Sequence, residues 1–119
     1  MTNRSDAEVT AEAYVRTISV EVEGAPEPWD AAAEYVAEAL DAEYVVDSRG
    51  HVKAVHLVVG TGGPHVEVHH HLGTNAVHVR VWWWRDYAER HVHAPALAAD
   101  LDGLAEAWQD GYLHVGVGR

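Results

Sequence analysis

The stretch GTGGPHVEVHHHLGTNAVHVRVWWW, running from Gly60 to Trp84, decides the fold. Side chains on a strand alternate between two faces. Val66, Val68 and Leu72 share one parity on the first half, and Val77, Val79, Val81 and Trp83 share one on the second. A two-residue turn with its tip at Thr74-Asn75 makes this a β-hairpin. Leu72 then opposes Val77, His70 opposes Val79, Val68 opposes Val81 and Val66 opposes Trp83. On the other face His71 meets His78, His69 meets Arg80, Glu67 meets Trp82 and His65 meets Trp84. A slip of one residue would turn every apolar group outward, so the parity is strongly specified. One face is aliphatic core; the other carries imidazole, indole and charge. His70, on the core parity, reads as a hydrogen-bonded interior histidine.

Upstream, Tyr44-Val45-Val46 and the run His51 to Val59 read as two strands joined by the turn Asp47-Ser48-Arg49-Gly50. Val55, Leu57 and Val59 point inward, which puts His56 on the face of His69, His71 and His78. The glycines of Thr61-Gly62-Gly63-Pro64 make a turn; no Walker lysine or dinucleotide fingerprint accompanies them. Before these strands, Trp29, Ala32 or Ala33, Val36 and Leu40 recur at helical spacing, which predicts a helix over about 29–40 with Trp29 as a core anchor. Residues 1–24 are of uncertain structure. Ser5-Asp6 suits the cap of a helix from Ala7 to Arg16. The alternation Ile18, Val20, Val22 then predicts a strand, with continued helix to Glu23 as the rival.

Downstream, Arg85 to Arg90 reads as a charged connection. Pro95 starts a helix carrying Leu97, Leu101, Leu104 and Trp108 and ending near Gly111, and the tail from Tyr112 to Arg119 is either an edge strand or loose. The expectation is a single α+β domain over residues 1–119. It has an antiparallel sheet of three to five strands and two or three helices packed on one face.

Composition narrows the function. The chain has no cysteine, which excludes disulfides, thiolate metal sites, Fe–S clusters and cysteine nucleophiles. Asp plus Glu number 19 against 8 Lys plus Arg, a formal net charge of −11 at pH 7. Nucleic-acid backbones are bound mainly through Lys and Arg, so direct binding to DNA or RNA is not expected. Neither a signal peptide nor a run long enough to cross a membrane is read, and the expected setting is cytoplasmic. The acidity fits either a salt-adapted or high-GC proteome, or a surface that competes for the basic groove of a nucleic-acid-binding protein.

Catalytic signatures are missing: there is no nucleophile elbow, no H-E-x-x-H and no carboxylate pair on an apolar cleft. Two candidate surfaces remain. His71 and His78, with His69 on the diagonal and His56 beside them, are the candidate ligands for zinc or another divalent transition metal. No carboxylate is read at ligand spacing to them, and exposed polar decoration is the competing reading. Otherwise no cofactor is expected. Trp82 and Trp84 are candidate protein-binding anchors unless covered by the chain itself or by a second copy. Glu34, Glu38 and Asp41, with Glu21, Glu23 and Glu43, are the candidates for a contiguous acidic surface.

The segments Val59-Gly60-Thr61-Gly62-Gly63-Pro64, Val81-Trp82-Trp83 with Asp86 and Ala88-Glu89, and the apolar helix with Trp108 resemble small uncharacterised phage and mobile-element proteins. Those proteins carry a G-G-P before a hairpin, a W-W-x-D-x-A segment and a closing helix. The resemblance covers roughly residues 40–110 and implies a genomic setting without an activity or catalytic residues. The histidines and Trp84 fall outside its pattern. The leading expectation is a small acidic, non-enzymatic binding protein that inhibits a host defence protein (anti-CRISPR or anti-restriction) or another basic nucleic-acid-binding protein. A homodimer is compatible with it. The alternative is a His-rich metal-binding protein, structural or catalytic.

Overall fold

The computed structural model describes residues 4–117, with side chains described through residue 111. Its order is α1 (Asp6–Arg16), a π-helical continuation (Thr17–Glu23), α2 (Pro28–Ala37), five strands, and α3 (Pro95–Val117). The strands are β1 (Asp41–Val46), β2 (Val52–Gly60), β3 (His65–His71), β4 (Ala76–Trp83) and β5 (Asp86–His93). They form one antiparallel sheet in sequence order. The fold is therefore α+β, with the helices on one face, since consecutive antiparallel strands need only short turns and leave the helices to cover a single side.

The inner face carries the core. Val55, Leu57, Val66, Val68, Val77, Val79 and Val81 are fully buried, and Leu97 and Leu101 of α3 and Ile18 meet them. Each buried aliphatic side chain contributes about 1.5–3 kcal/mol relative to exposure. Tyr44 stacks on Trp108 with ring centroids 5.0 Å apart, tying β1 to α3. His70 is also fully buried. Its Nδ1–H donates to the Ala76 carbonyl (2.9 Å), and its Nε2 lies 2.7 Å from Asp102 Oδ1, so both ring nitrogens are satisfied as an interior histidine requires.

The hairpin keeps its expected parity but not its expected pairing. Val66 opposes Val81, Val68 opposes Val79 and His69 opposes His78, a shift of two residues that leaves each side chain on its expected face. The connection spans residues 72–75 instead of a two-residue tip. Gly73 supplies φ 84° within it, and Leu72 N–H is drawn away to the Lys53 carbonyl (3.1 Å). Trp84 consequently lies in the β4–β5 turn rather than on a strand opposite His65.

Other expectations fail for local reasons. Residues 17–23 are helical, not extended: Ile18 and Val22 share a buried stripe at i, i+4 while Val20 is 62% exposed. The Glu23 carboxylate ends this segment by accepting from Ala96 N–H (3.0 Å) and Leu97 N–H (2.9 Å), capping α3. The Arg85–Arg90 stretch is mostly strand β5, because its inward charges have partners on α1. Asp86 Oδ2 accepts from Ala7 N–H (3.3 Å), and Arg90 meets Glu8 at 3.1 Å. Helix α2 ends at Ala37, and neither Trp29 (61% exposed) nor Leu40 (62% exposed) is a core residue; Ala32 is buried instead. Helix α3 runs on to Val117, past Gly111, so most of the tail is helical.

Candidate functional site

The face of the sheet away from the helices is organised in rows, because directly opposed residues on all five strands line up. One row is Glu43, His56, His69, His78 and His91. The next is Asp41, Val58, Glu67, Arg80 and Glu89. Beyond it stand His65, Trp82 and Tyr87. Five of the chain's ten histidines thus stand in these rows.

Within the rows, two triads bring their nitrogens and oxygens within 4.8 Å of one another: His56, Glu67 and His69 on β2 and β3, and His78, Glu89 and His91 on β4 and β5. In the first, the His56 and His69 rings stack with centroids 3.4 Å apart and an interplanar angle of 2°. Glu67 lies between two imidazoles, with Oε1 2.6 Å from His69 Nε2 and Oε2 2.6 Å from His65 Nε2. Burial pushes the Glu67 carboxyl up, but hydrogen bonds from His69 and His65 outweigh it and leave the pKa below the ordinary carboxylate value. His56 is held below the usual histidine range by burial and then by neighbouring His69, only partly opposed by Glu67.

The second triad is looser. Glu89 Oε1 is 3.4 Å from His78 Nδ1 and 3.6 Å from His91 Nε2, and the His78 and His91 rings are 3.9 Å apart. The contact to Glu89 does not make a hydrogen bond, and His78 Nδ1 is a buried nitrogen without a partner. Burial, followed by His91, lowers the His78 pKa. Both lowered histidines are therefore neutral at pH 7, the form in which imidazole ligates a metal.

Of the four histidines expected to form one site, His56 and His69 fall in the first triad and His78 in the second. His71 is exposed and stands outside both, with its ring 5.7 Å from that of His78. The reading that no carboxylate stands at ligand spacing is corrected by Glu67 and Glu89. The signal was in the sequence. The spacing H-x10-E-x-H occurs as His56, Glu67, His69 and again, 22 positions on, as His78, Glu89, His91. Because each copy spans one antiparallel strand pair, the same spacing folds into the same constellation twice. The two triads lie about two strand spacings, or ~10 Å, apart.

The other expected surface is divided. Glu34 is exposed on α2 and Glu38 just past its end, and Asp41 is exposed on β1, at one edge of the sheet. Trp84 is 92% exposed at the β4–β5 turn, toward the opposite edge. Trp82 is partly buried on the open face, between the rings of His65 (5.5 Å) and Tyr87 (5.3 Å). Among the described residues no helix is long and apolar enough to cross a membrane. Comparison of the chain with protein-family models, with curated proteins and with solved structures gave no match.

Proposed function

We propose that the chain is a binding protein for divalent transition metals, with two two-histidine, one-glutamate sites of the same ligand spacing on the open face of its sheet. The observation that carries this reading is the repeat: two copies of one ligand set, at one spacing, each converging within 4.8 Å. Surface histidines placed only for polarity have no reason to recur with a carboxylate in the same geometry. Two imidazoles and one carboxylate form the donor set of open zinc sites and of non-haem iron sites, in which the remaining positions are left to water or substrate. His69 Nε2 and Glu67 Oε1, 2.6 Å apart, stand side by side where a cation would be held, so a metal and their mutual hydrogen bond compete for the same atoms. Inhibition of a basic partner, the leading expectation from the sequence, calls for the carboxylates and the indoles on one surface, and their separation across the sheet favours the metal reading.

The test is zinc titration of tag-free protein, by calorimetry or with a competing chelator. Two equivalents are expected. His56→Ala and His91→Ala should each remove one, and His71→Ala should remove none. Fractional uptake indifferent to all three substitutions would end the proposal.

A further inference from the structure

We infer that the metal-loaded face binds a small phosphate ester bearing an aromatic ring, with a nucleoside monophosphate as the representative ligand. The inference rests on the metal reading above and concerns what the open coordination positions are for.

Arg80 stands between the triads, directly opposite Glu67 on β3 and Glu89 on β5. Its guanidinium is poorly satisfied. The nearest ion-pair contact, to Glu89 Oε1, is 3.7 Å long, and Nε is buried without a hydrogen-bond partner. The side chain is nevertheless 34% exposed, so a ligand arriving from solvent can reach it. Once Glu67 and Glu89 each bind a cation, Arg80 loses its neighbouring carboxylates as counter-charges. Two dications and a guanidinium against two carboxylates make a positive island on a protein whose formal charge is −11. An oxyanion with several acceptor oxygens answers an open metal position and the neighbouring guanidinium fork together, and phosphate suits both of those groups.

The aromatic row specifies the rest of the ligand. Trp82 and Tyr87 lie one row beyond Arg80 and Glu89, which along the strand is ~7 Å. Tyr87 is 43% exposed and Trp82 partly so. A flat ring carried by the phosphate ester can rest on them while the phosphate meets the metal and Arg80. Aromatic platforms of this kind bind bases with little dependence on sequence. The ligand is a monomer rather than a nucleic-acid chain: the positive island is local, and the carboxylates around it repel an extended polyanion.

The experiment uses tag-free protein loaded with zinc and freed of excess metal, titrated with AMP, with adenosine and with inorganic phosphate. AMP should bind about tenfold more tightly than either fragment, since stacking and phosphate contacts act together. Metal-free protein should bind none of them. Trp82→Ala should reduce the affinity for AMP to that for phosphate and leave zinc stoichiometry unchanged. Arg80→Gln should weaken AMP and phosphate alike. Equal affinity for AMP and phosphate, or AMP binding that is the same without metal, overturns the inference. Zinc uptake without AMP binding also overturns it while leaving the metal sites standing, whereas failure to take up zinc overturns the reading beneath it.

Discussion

At Trp84 the backbone sits at φ 57°, in the left-handed region where Cβ crowds the following carbonyl at a cost of roughly 1–2 kcal/mol. Two-residue hairpin turns call for such a residue because their twist matches that of the strands, and Asn or Gly usually supplies it. Here a tryptophan does, with 92% of its surface exposed and no packing to offset the strain. Trp84→Asn should therefore raise the urea midpoint by the equivalent of about 0.5–1 kcal/mol. A fall in the midpoint would mean that the indole is held by contacts the chain itself provides. The same scale explains what could be read of the site. The faces of His56, His69, His71 and His78 follow from alternation alone, since a strand has only two sides. The roles of Glu67 and Glu89 depend on the register across neighbouring strands, and the register depends on a turn in which Leu72 turns aside to the Lys53 carbonyl. That hydrogen bond has no local signature. The repeated H-x10-E-x-H spacing would have substituted for it.

Among the elements, the π-helical segment and β5 differ in type from their sequence reading, and each is settled by a partner far away in sequence. Ile18, Val20 and Val22 satisfy a period of two and, through the pair Ile18 and Val22, a helical stripe as well; the packing of that stripe decides. Charge hid β5, since Asp86 and Arg90 face inward yet find α1 there. The apolar faces of β2, β3, β4 and α3, by contrast, were legible because their periods are unambiguous, whereas the β3–β4 pairing and the end of α3 were not. Glu23 joins the π-helical segment to α3 by capping α3 with both carboxylate oxygens. Glu23→Ala leaves two N–H groups at the first turn of a long helix without an acceptor, and caps of this kind contribute about 0.5–2 kcal/mol. The variant should lose about that much stability in urea, whereas Glu21→Ala, an exposed residue two positions away, should change little. Equal losses would show that acidity near the helix, rather than the cap, matters.

For the molecule as a whole, the open face makes stability depend on pH in one direction. His56 and His78 both have pKa values below the ordinary histidine value of 6.5, chiefly through burial and then through a neighbouring histidine. The folded state thus binds fewer protons than the unfolded chain in the window beneath 6.5. Stability rises with pH wherever the unfolded state holds more protons, so the contribution is intact above that window and is lost as pH falls toward the depressed folded values. The row geometry adds to the effect, since protonation sets like charges side by side in the His56–His69 and His78–His91 pairs, whose centroids are 3.4 and 3.9 Å apart. Metal adds to the same pH dependence: a ligand that binds only the folded state stabilises it in proportion to the logarithm of its concentration over Kd, and only neutral imidazole can take part. The melting temperature of tag-free protein should fall between pH 7.5 and pH 5.5. Zinc should raise it at the higher pH and lose its effect at the lower, and His56→Gln with His78→Gln should flatten the pH profile and abolish the response to zinc. A profile unchanged by the double substitution would place the titrating groups elsewhere in the fold.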